Sequence, residues 1–194
     1  MNDYEFKKYD FERPSTLYIL EDILMNMFGE SVFYGSFIKT FGLKGNERVL
    51  EFGCGSGIGS RCVAKKLSTG GFLTGVDTSG YWTRKAKKRL RKYKNVEILT
   101  GDIRELDIPD LTYDIVFVTY VIHDIEPELR QGIIDSLSRK LKYNGLFFIR
   151  EPIKKSHGMP ATEIQSLLSN AGLTESECKT TKSEYRGKYS KHAQ

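Results

Sequence analysis

Apolar residues near the start of the chain recur at helical spacing. This stripe predicts a helix over residues 15–28, with Ser15 as its N-cap, and a second short helix follows over residues 32–41. The stripe consists of Leu17, Leu20, Ile23, Leu24, Met27 and Phe28. A turn at residues 44–46 then leads into a different pattern.

From residue 48 onward, short apolar runs alternate with helical segments. Strands are predicted over residues 48–52, 72–76, 96–100, 114–121 and 146–150, and helices over 58–67, 81–93, 127–141 and 161–170. Two extended segments, 173–181 and 184–190, follow Gly172 without a helix between them, which predicts an antiparallel hairpin. The fold class is therefore α/β: a Rossmann-like, doubly wound, mostly parallel seven-stranded sheet with N-terminal helices.

Length and composition favour one globular domain. The chain has 194 residues, and we expect a single domain over 1–194, with a helical extension or lid at 1–42 and a core at 43–194. No apolar run approaches the roughly 20 residues of a membrane helix, and the N-terminus has no secretory pattern. The three cysteines are not in metal-binding spacing, so we expect free thiols, no metal and a cytoplasmic location.

The excess positive charge is concentrated in two places. The net charge is +5, and much of it lies in the run Arg84–Lys94, with a weaker cluster at residues 186–192. We favour the solvated face of a helix for the run, and a nucleic-acid surface stays open as the alternative.

A glycine-rich loop follows the first predicted strand and marks a nucleotide-sized ligand site. It reads Gly53-Cys54-Gly55-Ser56-Gly57, and no Lys-Ser or Lys-Thr follows at the spacing of a triphosphate-binding loop. In the dinucleotide pattern the third glycine would fall on Ile58 when counted from Gly53. Glu51, two residues before the first glycine, would repel a pyrophosphate and suits a ligand with a cationic group.

Two further acids follow the next strands. Asp77 lies about 20 residues beyond the loop, where a carboxylate can accept hydrogen bonds from both hydroxyls of a ribose. This feature alone does not exclude NAD as the ligand. Asp102 follows the third strand, where it could bind an adenine amine while Ile103 packs on the ring. Since ligands of such sheets bind beyond the carboxyl ends of the strands, the implied ligand has a cation, a ribose and a purine.

These motifs resemble those of class I S-adenosylmethionine-dependent methyltransferases. The matching segments are residues 49–57 (VLEFGCGSG), 75–77 (GVD), 101–103 (GDI) and 113–118 (YDIVFV). Residues 121–125 (VIHDI) are similar to the corresponding stretch of the ubiquinone/menaquinone-biosynthesis type, and 144–149 (NGLFFI) resemble the fifth-strand turn with departures at Asn144 and Leu146. The resemblance covers roughly residues 43–190 and specifies the cofactor better than the methyl acceptor.

By position, the resemblance implies S-adenosylmethionine as cofactor and assigns its contacts. Gly53, Gly55 and Gly57 would line the methionine part, Asp77 would hold the ribose hydroxyls, Asp102 and Ile103 would meet the adenine, and Thr119 would lie near the methionine end. Cys54 and Thr78 are also expected to bind the cofactor. Glu51 would order the loop and the approach of the amino group, or act only as a structural cap on the loop.

The acceptor is expected to be a small, apolar or aromatic molecule. His123 could remove a proton from it, although a structural hydrogen bond is the favoured role, and His157 is a weaker candidate of the same kind. The Asn-Pro-Pro-Tyr sequence of enzymes that methylate base or glutamine amines is absent after the fourth strand. The alternatives are an RNA or protein methyltransferase that uses residues 84–94, and a non-catalytic S-adenosylmethionine-binding partner subunit; the oligomeric state stays open.

Aromatic residues crowd the N-terminal region. They are Tyr4, Phe6, Tyr9, Phe11, Tyr18, Phe33 and Tyr34. Most are expected to pack on the sheet, and some could form a lid over the cofactor or stack on an aromatic acceptor.

Overall fold

The computed structural model of the chain describes Tyr4 and residues 9–193, apart from the side chains of residues 28–32. The helices are α1 (Thr16–Leu24), α2 (Ser36–Lys39), α3 (Ile58–Ala64), α4 (Gly80–Leu90), α5 (Pro127–Lys140) and α6 (Ala161–Asn170). The strands are β1 (Arg48–Phe52), β2 (Phe72–Asp77), β3 (Val96–Thr100), β4 (Tyr113–Thr119), β5 (Leu141–Lys154), β6 (His157–Gly158), β7 (Leu173–Thr180) and β8 (Glu184–Lys191). These residues form two compact units, Asp10–Asp102 and the residues from Ile103 onward with Tyr4 and Tyr9.

In the unit Asp10–Asp102, three parallel strands lie in the order β3-β2-β1. Phe52 pairs with Val76 and Asp77 with Thr100, so the carboxyl ends of the three strands are level. A cluster of Cys54, Ala86, Leu90 and Ile98 packs α4 against the strands. Every predicted helix and strand of this unit is present, and the ends differ by a few residues.

The N-terminal helices are more continuous and more exposed than the pattern suggests. Ser15 caps α1 as predicted, because its hydroxyl accepts a hydrogen bond from the Tyr18 N–H. A π-helix, Met25–Gly35, then joins α1 to α2 across the predicted break. The apolar stripe of the predicted helix 15–28 lies on the surface, with Leu17 of α1 63% and Met27 of the π-helix 64% exposed; Phe28 and Phe6 lie outside the described side chains. Buried anchors come later, at Phe37, Ile38 and Phe41.

In the other unit, β4 and β5 are parallel, and β8 and β7 follow as antiparallel strands. The predicted C-terminal hairpin is therefore present. The sequence pattern underestimated β5, which extends beyond residues 146–150 at both ends. Leu141 pairs with Tyr113 of β4, residues 146–152 pair with β8, and Ile153 and Lys154 pair with the short strand β6. β6 raises the number of strands among the described residues from the predicted seven to eight.

β4 is shorter than the predicted strand 114–121. It ends at Thr119, since Tyr120 takes a left-handed backbone conformation (φ 56°) that breaks the extended run. A 3-10 turn, Ile122–Asp124, follows immediately. The backbone thus turns sharply at the carboxyl end of β4, where several of the predicted functional residues lie.

The α/β, Rossmann-like fold class with mostly parallel strands and an antiparallel C-terminal hairpin is confirmed. Within the described part of the chain, no helix combines the length and the apolar character that crossing a bilayer requires.

Candidate functional site

The glycine-rich loop is fixed at both ends by backbone hydrogen bonds. The N–H groups of Gly53 and Cys54 donate to the Val76 carbonyl at 2.8 and 3.0 Å, and the Gly57 N–H donates to the Cys54 carbonyl at 2.8 Å. Gly57 has φ 80° and immediately precedes α3. The loop therefore turns tightly from β1 into a helix N-terminus, as the sequence predicts.

Glu51 lies beneath this loop and is only 3% exposed. The Ser60 hydroxyl donates a hydrogen bond to its Oε2, and a Cβ on Gly59 would lie 2.5 Å from its Oε1. Burial raises the pKa of Glu51 from 4.5 to about 8, and the nearby Asp77 carboxylate adds to the rise although the bond from Ser60 opposes it. These are the contacts expected if Glu51 orders the loop. A contact between Glu51 and the ammonium group of a ligand stays a prediction.

Asp77 is held rigidly at the carboxyl end of β2. The Gly55 N–H donates to its Oδ2 at 2.8 Å and the Ser79 N–H to its Oδ1 at 2.9 Å. Burial raises the pKa of Asp77 above its ordinary value, although these two bonds oppose the rise. Each oxygen accepts one of these bonds and keeps acceptor capacity for a ligand hydroxyl, while Thr78 beside it is exposed.

Gly55 and Cys54 are neighbours in the loop, but one borders open space and the other packs into the core. A Cβ on Gly55 would meet nothing within 4 Å, so the backbone here borders open space that a flat-lying ligand could fill. The Cys54 side chain instead packs into the core with Ala86 and Leu90. Any contact of Cys54 with a cofactor therefore falls to its backbone.

The loop after β3 begins next to Asp77. The Gly101 N–H donates to the Asp77 carbonyl at 3.0 Å, and Asp102 is half-buried one residue further on. Ile103 is only 1% exposed, and its carbonyl accepts a hydrogen bond from the Ser136 hydroxyl. The side chain of Ile103 therefore offers little surface to an adenine ring in this conformation.

Thr119 ends β4 with an unsatisfied polar atom. Its Oγ1 is buried and has no hydrogen-bond partner among the described residues. Buried hydroxyls are normally paired, because leaving one unpaired costs about 1–3 kcal/mol. Such an atom is suited to a polar ligand group, in line with the predicted position of Thr119 near the cofactor.

His123 belongs to a buried polar cluster around Glu151. The backbone N–H groups of Val121 and Ile122 both donate to Glu151 Oε1 at 2.9 Å, and His123 Nδ1 lies 2.7 Å from Oε2. Burial alone lowers the pKa of His123, but Glu151 and Asp124 outweigh it and raise the pKa above its ordinary value. The predicted structural hydrogen bond exists, and the role of a proton acceptor stays a prediction.

A second histidine meets the first. His157 lies on β6, and its Nε2 is 3.1 Å from His123 Nε2, while Asp124 Oδ1 is 3.4 Å from that same atom. Burial raises the pKa of Asp124 to about 6. Sequence reasoning missed Asp124 and Glu151; the signal for Glu151 was a carboxylate directly after the predicted strand 146–150, at its carboxyl end.

The N-terminal aromatic residues that the structure describes are engaged in contacts. The Tyr4 hydroxyl donates to the Ile153 carbonyl at 3.0 Å, and the Tyr9 ring makes an edge contact with His157. The Phe11 carbonyl accepts a hydrogen bond from the Ser79 hydroxyl at 2.8 Å. A lid built from these residues stays a prediction.

The basic run on α4 is partly used inside the protein. Lys85 Nζ lies 3.4 Å and Arg89 Nη2 3.5 Å from Asp22 Oδ2, and Arg89 also donates to the Ser56 carbonyl. Two of its cations therefore link α1, α4 and the glycine-rich loop.

Comparisons with known proteins agree with this arrangement. Residues 49–145, half of the chain, match a family model described as a methyltransferase domain. Demethylmenaquinone methyltransferase of Tropheryma whipplei (strain Twist) is 25% identical over 143 residues, 73% of this chain and 56% of that protein. Carboxy-S-adenosyl-L-methionine synthase of Sulfurimonas denitrificans is 23% identical over 166 residues, 81% of this chain and 69% of that protein.

Solved structures share the fold. A SAM-dependent methyltransferase from Aquifex aeolicus superposes with a TM-score of 0.74 at 23% identity, over 94% of this chain and 98% of that one. At this identity the similarity shows the fold alone. Because the chain spans little more than half the length of the Tropheryma whipplei protein, the relatives' names do not by themselves assign an activity to it.

Proposed function

Because the chain belongs to the family of methyltransferase domains, we propose that it transfers a methyl group from S-adenosylmethionine to a small apolar or aromatic acceptor. The proposal that the cofactor is S-adenosylmethionine depends on the Asp77 carboxylate, which two backbone N–H groups hold at the carboxyl end of β2. The resemblance in sequence assigns the ribose hydroxyls to this residue.

The residues present fit the cofactor. In the unit Asp10–Asp102, Asp77 has remaining acceptor capacity and the backbone at Gly55 borders open space. In the other unit, taken by itself, Thr119 carries a buried hydroxyl without a partner among the described residues. Glu51 lies beneath the loop and accepts the hydrogen bond from Ser60, so it orders the loop that would hold the methionine part. None of these groups is suited to a triphosphate.

Bound S-adenosylmethionine supplies an electrophilic methyl group that leaves its sulfur by in-line displacement. The chain then has to bind and orient the two reactants and exclude water from them. Alignment of this kind lowers the activation barrier by on the order of 7–11 kcal/mol. The rigid loop and the fixed Asp77 provide this positioning. A proton acceptor is required only for an acceptor that arrives protonated.

Two observations support a small acceptor. The Tropheryma whipplei relative is named for demethylmenaquinone, a small molecule. In the basic run, Lys85 and Arg89 form ion pairs with Asp22, so these two cations are not both available to a polyanionic acceptor such as RNA. Because Cys54, Cys62 and Cys178 are thiols outside any disulfide, we also propose a reducing compartment, the cytoplasm.

Calorimetry with S-adenosylhomocysteine tests the cofactor site. We expect one site per chain and a loss of affinity of at least tenfold in Asp77→Ala, because two ribose hydroxyls lose their acceptor. Asp107→Ala, at an exposed position in the loop after β3, is the matched control and should bind like the unchanged protein. Equal binding by all three proteins would contradict the assignment of Asp77.

Transfer of labelled methyl groups tests the acceptor class. We expect label to enter small phenols or quinols and to depend on Asp77. Label in added RNA or protein instead would overturn the small-molecule proposal. Cofactor binding without transfer to any of these acceptors would mean a non-catalytic partner subunit.

A further inference from the structure

The polar cluster beyond β4 holds two histidines and a carboxylate that face one another. The three atoms concerned, His123 Nε2, His157 Nε2 and one oxygen of Asp124, all lie within 4.8 Å of each other. All three residues belong to the same compact unit. We propose that they bind a divalent transition-metal ion of the Zn²⁺ class, which neither the sequence pattern nor the methyltransferase family match assigns.

The spacing is that of a metal's ligands. Two nitrogen ligands about 2.0–2.1 Å from a tetrahedral Zn²⁺ lie roughly 3.3–3.4 Å from each other. The two Nε2 atoms are 3.1 Å apart, and Asp124 Oδ1 is 3.4 Å from His123 Nε2. Two edges of a coordination tetrahedron are therefore already formed, and an ion needs only small side-chain movements.

Glu151 prepares His123 for this role. Its Oε1 accepts two backbone N–H bonds, so the carboxylate acts as an acceptor, and Nδ1 of His123 at 2.7 Å from Oε2 must carry the proton. In the neutral ring, Nε2 then carries the lone pair, and this atom lies 3.1 Å from His157 Nε2. A carboxylate behind a ligating histidine fixes the tautomer and raises the basicity of the ligand nitrogen.

The charge balance favours a cation. Asp124 and Glu151 bring two carboxylates to the cluster, and the guanidinium of Arg130 donates to the His123 carbonyl at 3.1 Å. Arg130 is already paired with Glu163 at 2.6 Å. Two carboxylates therefore face His123, while the guanidinium of Arg130 is shared with Glu163, a balance that accommodates a bound cation.

The ligand set also selects the kind of ion. Mg²⁺ and Ca²⁺ prefer all-oxygen sites, whereas two imidazoles with one carboxylate suit Zn²⁺ and its first-row neighbours. Three protein ligands leave one position for water, as in sites that do not serve structure alone. His157 lies on the exposed side of the cluster, so the ion can enter from solvent while His123 stays buried.

Competition with a chromophoric chelator measures Zn²⁺ binding on the full chain. We expect one site per chain, with affinity reduced on the order of a hundredfold or more in His157→Ala and in Asp124→Ala. Glu151→Gln should weaken binding by about 10–100-fold, because the residue orients a ligand without touching the ion. Because His157 is exposed, its replacement should leave the fold intact, which circular dichroism verifies.

His192→Ala is the matched control, because His192 is the third histidine of the chain and is exposed beside Ser190. It should bind Zn²⁺ like the unchanged protein. Substituting Co²⁺ should add visible d–d absorption that His157→Ala loses. Absence of binding in the unchanged protein, or equal binding by His157→Ala and His192→Ala, would overturn the proposal.

Discussion

At the scale of single residues, Glu51 is expected to make the stability of the fold depend on pH. Its carboxyl group is buried under the glycine-rich loop, and its pKa is about 8 in the folded chain against 4.5 when exposed. Between these two values the folded chain keeps a proton that the unfolded chain has lost. Stability contributed by this group is therefore complete below pH 4.5 and is lost as the pH rises towards 8.

We expect the free energy of unfolding of the ligand-free protein to fall by on the order of 3–5 kcal/mol across this window because of Glu51 alone. Glu51→Gln should remove most of that slope, since the amide is always neutral and can still accept the bond from Ser60. Urea unfolding at pH 5, 6, 7 and 8 gives the slopes directly.

The exposed Glu105→Gln variant is the control for the loss of one carboxylate. It should retain the slope of the unchanged protein. A slope in Glu51→Gln equal to that of this control would show that Glu51 is ionised in the fold throughout the range.

At the scale of elements, the loop and α3 depend on close contact with α4. A Cβ on Gly57 would lie 3.0 Å from Leu90 Cδ1 and 3.1 Å from Ala86 Cβ, and Gly57 also has φ 80°. A larger residue would therefore meet both backbone strain and crowding. The contact determines how the helix leaves the loop.

Gly57→Ala should cost about 1–3 kcal/mol more than Gly42→Ala in chemical denaturation. Gly42 also has a positive φ (65°) but nothing within 4 Å of an added Cβ, so it isolates the backbone strain alone. Equal costs at the two positions would mean that α4 yields to the new methyl group at little expense.

The elements also show where sequence patterns suffice. Alternation of apolar runs and helical segments locates strands whose pairing is regular, and Ser15 and Gly172 mark helix ends because capping and left-handed backbone are local effects. The length of β5 and the presence of β6 depend on pairing with distant segments, which no local pattern contains. The π-helix 25–35 and the exposed face of α1 are likewise set by tertiary contacts.

The same distinction holds for the candidate site. Asp77 and the glycine-rich loop could be predicted, because a βα unit brings a loop and the next strand end together by its own geometry. The partnership of His123 with Glu151 and His157 could not, since it joins residues 28 and 34 positions apart through side chains.

At the scale of the whole molecule, the net charge of +5 invites comparison with nucleic-acid-binding proteins. We expect weak binding of single-stranded RNA at low salt that disappears near physiological salt, because electrostatic contacts release counterions. Methyl transfer to a small acceptor should change less than about twofold over the same range. Fluorescence anisotropy with labelled RNA and the transfer assay measure the two responses; RNA binding that persists at high salt would favour an RNA acceptor.

The placement of the cysteines gives the molecule an internal reporter of unfolding. Cys54 and Cys62 are buried in the unit Asp10–Asp102, whereas Cys178 is exposed on β7. A pulse of a thiol-reactive reagent therefore modifies one sulfur in the folded chain and three in the unfolded one. The proportions of the two products, which differ in mass, give the fraction of unfolded molecules. Variants of the glycine-rich loop can therefore be ranked by stability in dilute samples, without any knowledge of the acceptor.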